Sequence, residues 1–137
     1  MKHKVKIIYP GQKTFEFNRF SNGDMKLFFD MLIREWQHKS TRECATFLDS
    51  KLRSFCNNDF IKVDDTYYQY TPFGMKEVTE QFVNRVENKI KNHKHVKEKN
   101  DYFWAKLEVM DELETKLYKK HGGYKSYIKK MISITKK

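Results

Sequence analysis

Arg42, Thr46, Asp49 and Arg53 recur at steps of four, three and four residues, which on a helix brings them to one side. Short polar and guanidinium groups so arranged can reach base edges in a major groove. Ser50 and Lys51 lie among them, and Lys51, Lys62 and Lys13 add ammonium groups that meet phosphates, positioning a protein without specifying a sequence. A second cationic stretch, Lys-Ile-Lys-Asn-His-Lys-His-Val-Lys-Glu-Lys, places Lys89, Lys91, Lys94, Lys97 and Lys99 within eleven residues. It reads either as a phosphate-tracking arm or as a solvated helix end. A solvated face would also carry Arg42, Thr46, Asp49 and Arg53, so the pattern alone leaves both readings open.

No catalytic set accompanies these groups. There is no Gly-rich phosphate loop, no Gly-x-Ser-x-Gly and no spaced Cys/His cluster. His93-x-His95 does not place two ligands on one helix face, and no acidic or cysteine partner has recognisable spacing, so no metal is expected. Asp64-Asp65 reads as a hairpin turn rather than a nuclease pair. Cys44 and Cys56 fall twelve residues apart on one expected helix, about 18 Å of rise, too far to bridge. The expectation is a protein that is not an enzyme and uses no cofactor.

The elements that would position these groups start with Ser40-x-x-Glu43, a capping box. Cys44, Ala45, Leu48, Leu52, Phe55 and Cys56 continue as one apolar helix face, so the helix is expected over 41–56. Phe60-Ile61-Lys62-Val63, the Asp64-Asp65 turn and Thr66 to Tyr70 read as a hairpin. Thr71 then caps a helix with Pro72 at its first position, expected to run over 72–93 with Met75, Val78, Phe82, Val86 and Ile90 on one stripe. Tyr67-Tyr68-Gln69-Tyr70-Thr71-Pro72-Phe73-Gly74 resembles the end of the wing and the start of the following helix in MarR- and PadR-like winged-helix regulators. Phe55 followed by Phe60-Ile61 resembles their passage from recognition helix to wing. The resemblance covers about residues 40–82. It implies double-stranded DNA as partner, helix 41–56 in the major groove and the 60–71 hairpin as wing. Because helices after a wing commonly make the dimer, it also implies a homodimer.

Around this stretch, Lys4–Tyr9 and Thr14–Phe20 flank Pro10-Gly11, a turn signal, as an N-terminal hairpin that could extend the wing's sheet. Residues 24–37 carry Met25, Phe28, Phe29, Leu32, Ile33 and Trp36 as a broad apolar stripe behind Asn22-Gly23-Asp24. From Asn100-Asp101 to about Lys120 a helix presents Phe103, Leu107, Met110, Leu113 and Leu117, with an acidic block of Glu108, Asp111, Glu112 and Glu114 that could face a partner subunit. His121-Gly122-Gly123 stops it, and a last basic amphipathic helix follows.

The net charge is +10. Lys and Arg outnumber Asp and Glu by 12 to 9 over residues 1–75 and by 16 to 9 over 76–137. Such a balance favours polyanion partners. No apolar run approaches the roughly 20 residues that span a bilayer, and no secretory leader is evident, so a cytoplasmic protein without membrane contact is expected. The fold class expected is α+β, mainly helical: a winged-helix-like core with an N-terminal β-hairpin over 1–93 and a C-terminal helical extension over 94–137. The expected function is DNA binding as a transcriptional regulator. The competing reading is a small protein–protein interaction module of phage or mobile-element type, with its partner on the C-terminal helices.

Overall fold

The computed structural model describes residues 1–38, 55–120, 122, 123 and 129. Strands β1 (Lys2–Tyr9) and β2 (Lys13–Phe20) form the N-terminal hairpin, followed by helix α1 (Met25–His38). Strands β3 (Phe60–Val63), β4 (Thr66–Thr71) and β5 (Gly74–Val78) come next, then helices α2 (Glu80–Lys91), α3 (Lys94–Lys99) and α4 (Tyr102–Lys120). The strands make one five-stranded antiparallel sheet in the order β2-β1-β3-β4-β5.

A winged-helix core is not what these residues build. The hairpin that was to be the wing, β3–β4, lies inside a larger sheet, because β1 pairs with β3 from Val5↔Val63 to Ile8↔Phe60. The composition of β1 explains this. Val5, Ile7 and Tyr9 point to one face and Ile8 to the other, and all four are buried, so the strand needs cover on both sides. The Pro10-Gly11 turn is formed as its residues predict: the Gln12 amide donates to the Tyr9 carbonyl at 2.9 Å and Gly11 sits at φ 74°. A Cβ on Gly11 would meet Ile90 Cγ2 at 2.7 Å, so the turn also needs glycine to lie against α2.

The helix expected over 72–93 begins instead as a strand. Thr71 does cap, but it caps a turn. Its hydroxyl accepts from the Phe73 amide at 3.1 Å and donates to the Gly74 carbonyl at 2.7 Å. Gly74 at φ 113° cannot continue a helix, and the chain returns as β5. Met75 then packs on one face of the sheet and Val78 on the other, a period of two that the stripe had masked. Thr79, whose hydroxyl accepts from the Phe82 amide at 3.1 Å, caps the helix, α2.

Of the helix expected over 41–56, residues 41–54 lie outside the described residues, with Arg42, Cys44, Thr46, Ser50, Lys51 and Arg53. Phe55 and Cys56 are not helical. Phe55 is buried against Tyr9 and Tyr70. The last amphipathic helix also falls outside the described residues, apart from Lys129.

An apolar layer packs on each face of the sheet. On one face α1 sets Phe28, Phe29, Leu32 and Trp36 against Val5, Ile7, Phe15, Ile61 and Val63. Trp36 is fully buried, its ring stacked at 5.8 Å and 14° on Phe17. On the other face Val83, Val86 and Ile90 of α2 and Ala105, Val109, Met110 and Leu113 of α4 cover Ile8 and Phe60. The stripe expected on α4 is rotated: Phe103 and Leu107 are exposed, and Ala105, Lys106 and Val109 face inward. Lys106 is 2% exposed and donates to Asp59 Oδ1 at 3.0 Å, the Asn57 carbonyl at 2.9 Å and Cys56 Sγ at 3.2 Å. That buried ion pair turns the helix away from its apolar period, since a buried ammonium needs its acceptors.

Candidate nucleic-acid interface

Among the described residues, the helical layer on the second face covers only one end of the sheet. It closes over the Ile8–Phe60 pair, where Gln69 is also buried, and stops at the row Glu16–Lys6–Lys62–Tyr67. Strand alternation places Lys2, Lys4 and Lys6 of β1 on this face, opposite the side of Val5 and Ile7. The register brings Lys6 directly beside Lys62. Their head groups turn to opposite sides, Lys6 toward Glu16 of β2 and Lys62 toward Tyr67 of β4. Glu16 lies 2.9 Å from Lys4 Nζ and 3.7 Å from Lys6 Nζ. The hydrogen bond from Lys4 lowers the Glu16 carboxyl from its ordinary value, with desolvation opposing and the lysine charge adding. The same bond raises Lys4. Lys62 lies 5.1 Å from the centre of the Tyr67 ring, a cation–π contact.

Among the described residues, this part of the face gathers four lysines and one glutamate, Lys2 and Lys4 exposed and Lys6 and Lys62 half-buried, with an aromatic ring at its inner margin. Asp64 closes the row at the turn. It sits at φ 55°, and its carboxylate accepts from the Lys4 amide at 3.0 Å and contacts His3 Nδ1 at 2.8 Å. Those two bonds, the His3 one first, lower its pKa.

Of the residues that sequence reasoning singled out, Lys62 belongs to this face. Lys13 is exposed at the start of β2. The basic run is divided: Lys89 and Lys91 end α2, while Lys94, Lys97 and Lys99 lie on α3. Lys89 is engaged by Glu112 of α4 at 3.1 Å, and that bond lowers Glu112. Lys91, Lys94, Lys97 and Lys99 are exposed. Of the acids expected to meet a partner subunit, Glu112 and Glu108 face this chain's own side chains, Glu112 on Lys89 and Glu108 on His93 and His95. Sequence reasoning missed Lys2, Lys4 and Lys6. Alternating lysines in the first strand signal a one-sided charged face, but only the pairing with β3 joins them to Lys62.

Nothing among known protein families, curated proteins or solved structures matches this chain. Among the described residues no helix is long and apolar enough to cross a membrane.

Proposed function

We propose that the protein binds nucleic acid, with phosphates held on the open end of the sheet by Lys2, Lys4, Lys6 and Lys62. The observation that carries this reading is the lysine row Lys2, Lys4, Lys6 and Lys62 on one face of the sheet, with Lys6 in register with Lys62, in a chain of net charge +10. An anionic backbone is attracted to this row, and release of its counterions supplies affinity. Tyr67 offers a ring at the inner margin for a base to stack on. The exposed Asp64 and Asp65 repel phosphate at the turn, so the backbone is expected to run along β1 and β2. The exposed lysines of α2 and α3 extend the positive field. Base discrimination, and with it regulation of transcription from double-stranded DNA, is assigned to Arg42, Thr46, Ser50, Lys51 and Arg53.

Fluorescence anisotropy with random-sequence duplex and single-stranded DNA tests this at two salt concentrations. Binding should weaken steeply with salt. In Lys4→Ala/Lys6→Ala/Lys62→Ala the slope of log affinity against log salt should fall by about 0.7–0.9 for each phosphate no longer neutralised. Arg42→Ala/Arg53→Ala should keep general binding and lose preference between sequences. No binding at low salt, or a triple variant that binds like the parent, sinks the proposal.

A second reading has its own observation. Phe103, Trp104 and Leu107 are 45%, 55% and 40% exposed on α4, a cluster suited to a protein partner. An association through it would be insensitive to salt and abolished in Trp104→Ala.

A further inference from the structure

His93, His95 and Glu108 converge where the start of α3 meets α4. His93 Nε2 lies 2.9 Å from Glu108 Oε2, and His95 Nε2 lies 2.9 Å from Glu108 Oε1. The two rings stack, with centres 5.0 Å apart and planes at 21°. One ligand atom from each of the three residues falls within 4.8 Å of the others. Two histidines two residues apart do not share a helix face, yet these rings do lie together. The reason is that His93 is not in the helix. It is the N-cap of α3, at φ −71° and ψ 144°, and this extended conformation swings its ring over that of His95.

We propose that these three side chains bind a divalent transition-metal ion of the zinc class, joining α3 to α4. Two imidazoles and a carboxylate suit zinc, nickel or copper better than magnesium or calcium, which prefer oxygen-rich sets. Zinc bonds of about 2.1 Å to nitrogen or oxygen make a tetrahedron with edges of about 3.4 Å, so contacts of 2.9 Å need to open by about half an ångström. Three protein ligands leave the fourth position to water. The side chains of His93 and His95 are only 17% and 25% exposed, while Glu108, at 48%, leaves an entry path.

The metal-free arrangement has a definite proton pattern. His93 Nδ1 accepts the His95 backbone N–H at 3.2 Å, so the proton of the neutral ring sits on Nε2 and points at Glu108. A metal on Nε2 displaces that proton and moves the ring to the Nδ1–H tautomer. The ring then gives up the cap, and the freed backbone N–H turns to water. Coordination is thereby exchanged for a helix cap, and the tautomer of His93 reports it. Lys94 acts on Glu108 as a positive charge and opposes the incoming cation.

The experiment is a zinc titration of the full chain against a chromophoric chelator, with magnesium as the hard-ion control. The imidazole nitrogens are followed in parallel by long-range proton–nitrogen NMR. One zinc per chain is expected, with His95→Ala and Glu108→Gln each weakening it at least about tenfold. Lys94→Gln should tighten it, and magnesium should not compete. Affinity should fall as the pH is lowered, because protons compete for the imidazoles. The His93 signal should change from the Nε2–H to the Nδ1–H pattern on saturation. Absence of saturable zinc overturns the proposal. So does unchanged zinc affinity in His95→Ala/Glu108→Gln, or a His93 tautomer that does not move with zinc. The last measurement needs no variant to fold.

Discussion

The two faces of the sheet are finished differently. The α1 face is closed by aromatic and branched side chains, Trp36 and Phe28 among them, packed on Val5, Ile7 and Ile61. The opposite face is apolar at one end, carries a buried ion pair beneath α4, and ends in open lysines. The first face also holds a half-buried ion pair, Arg19 of β2 on Glu35 of α1 at 2.7 Å. The second divides its charge between the fully buried Lys106–Asp59 pair and a lysine row that runs from half-buried Lys6 and Lys62 to exposed Lys2 and Lys4.

Substitutions on either face test that contrast. The largest effect is expected on the α1 face. Trp36→Ala should lower stability by about 3–5 kcal/mol, read by denaturant unfolding. Trp36→Phe should cost less, because the indole N–H has no acceptor among the described residues. On the other face, Lys106→Ala removes the ammonium from the fully buried Asp59 carboxylate, leaving the Cys56 amide on its other oxygen, and should cost about 3–5 kcal/mol, while Asp59→Asn/Lys106→Met should recover much of it. If Lys106→Ala proves neutral, the ion pair does not organise the second face.

Gly11→Ala should destabilise by about 1–3 kcal/mol, through contact with Ile90 and the positive φ together. The smallest effect concerns Asp64. Its folded pKa is depressed, so its contribution is present above its unfolded pKa and lost as pH falls through the folded value. Asp64→Asn should flatten the loss of stability below about pH 4 and leave the neutral range little changed. An unaltered acid limb would show that the His3 and Lys4 bonds contribute nothing there.

Much of the local structure was legible in the residues. The β1–β2 and β3–β4 hairpins follow from alternating β-formers around Pro10-Gly11 and Asp64-Asp65, and α1 from its apolar stripe behind Asp24, whose carboxylate accepts from the Leu27 amide at 3.1 Å. Thr71-Pro72 misled because the same hydroxyl that caps a helix also closes a turn, and Gly74 decided between them. His93 and His95 come together although two residues apart, because His93 is a cap and not part of the helix. The candidate interface was legible only in Lys62.

Features whose causes lie within a few residues follow from the chain's own order: turn chemistry, caps, the period of each strand and helix, and a strongly basic balance. What meets across long separations came from the tertiary fold alone. It set β1 between β2 and β3, placed Lys6 beside Lys62, brought Asp59 to Lys106 and aimed two imidazoles at Glu108. The physical reason is that spacing encodes which side of an element a residue occupies. Which elements share that side is settled by burial of apolar surface over the whole chain.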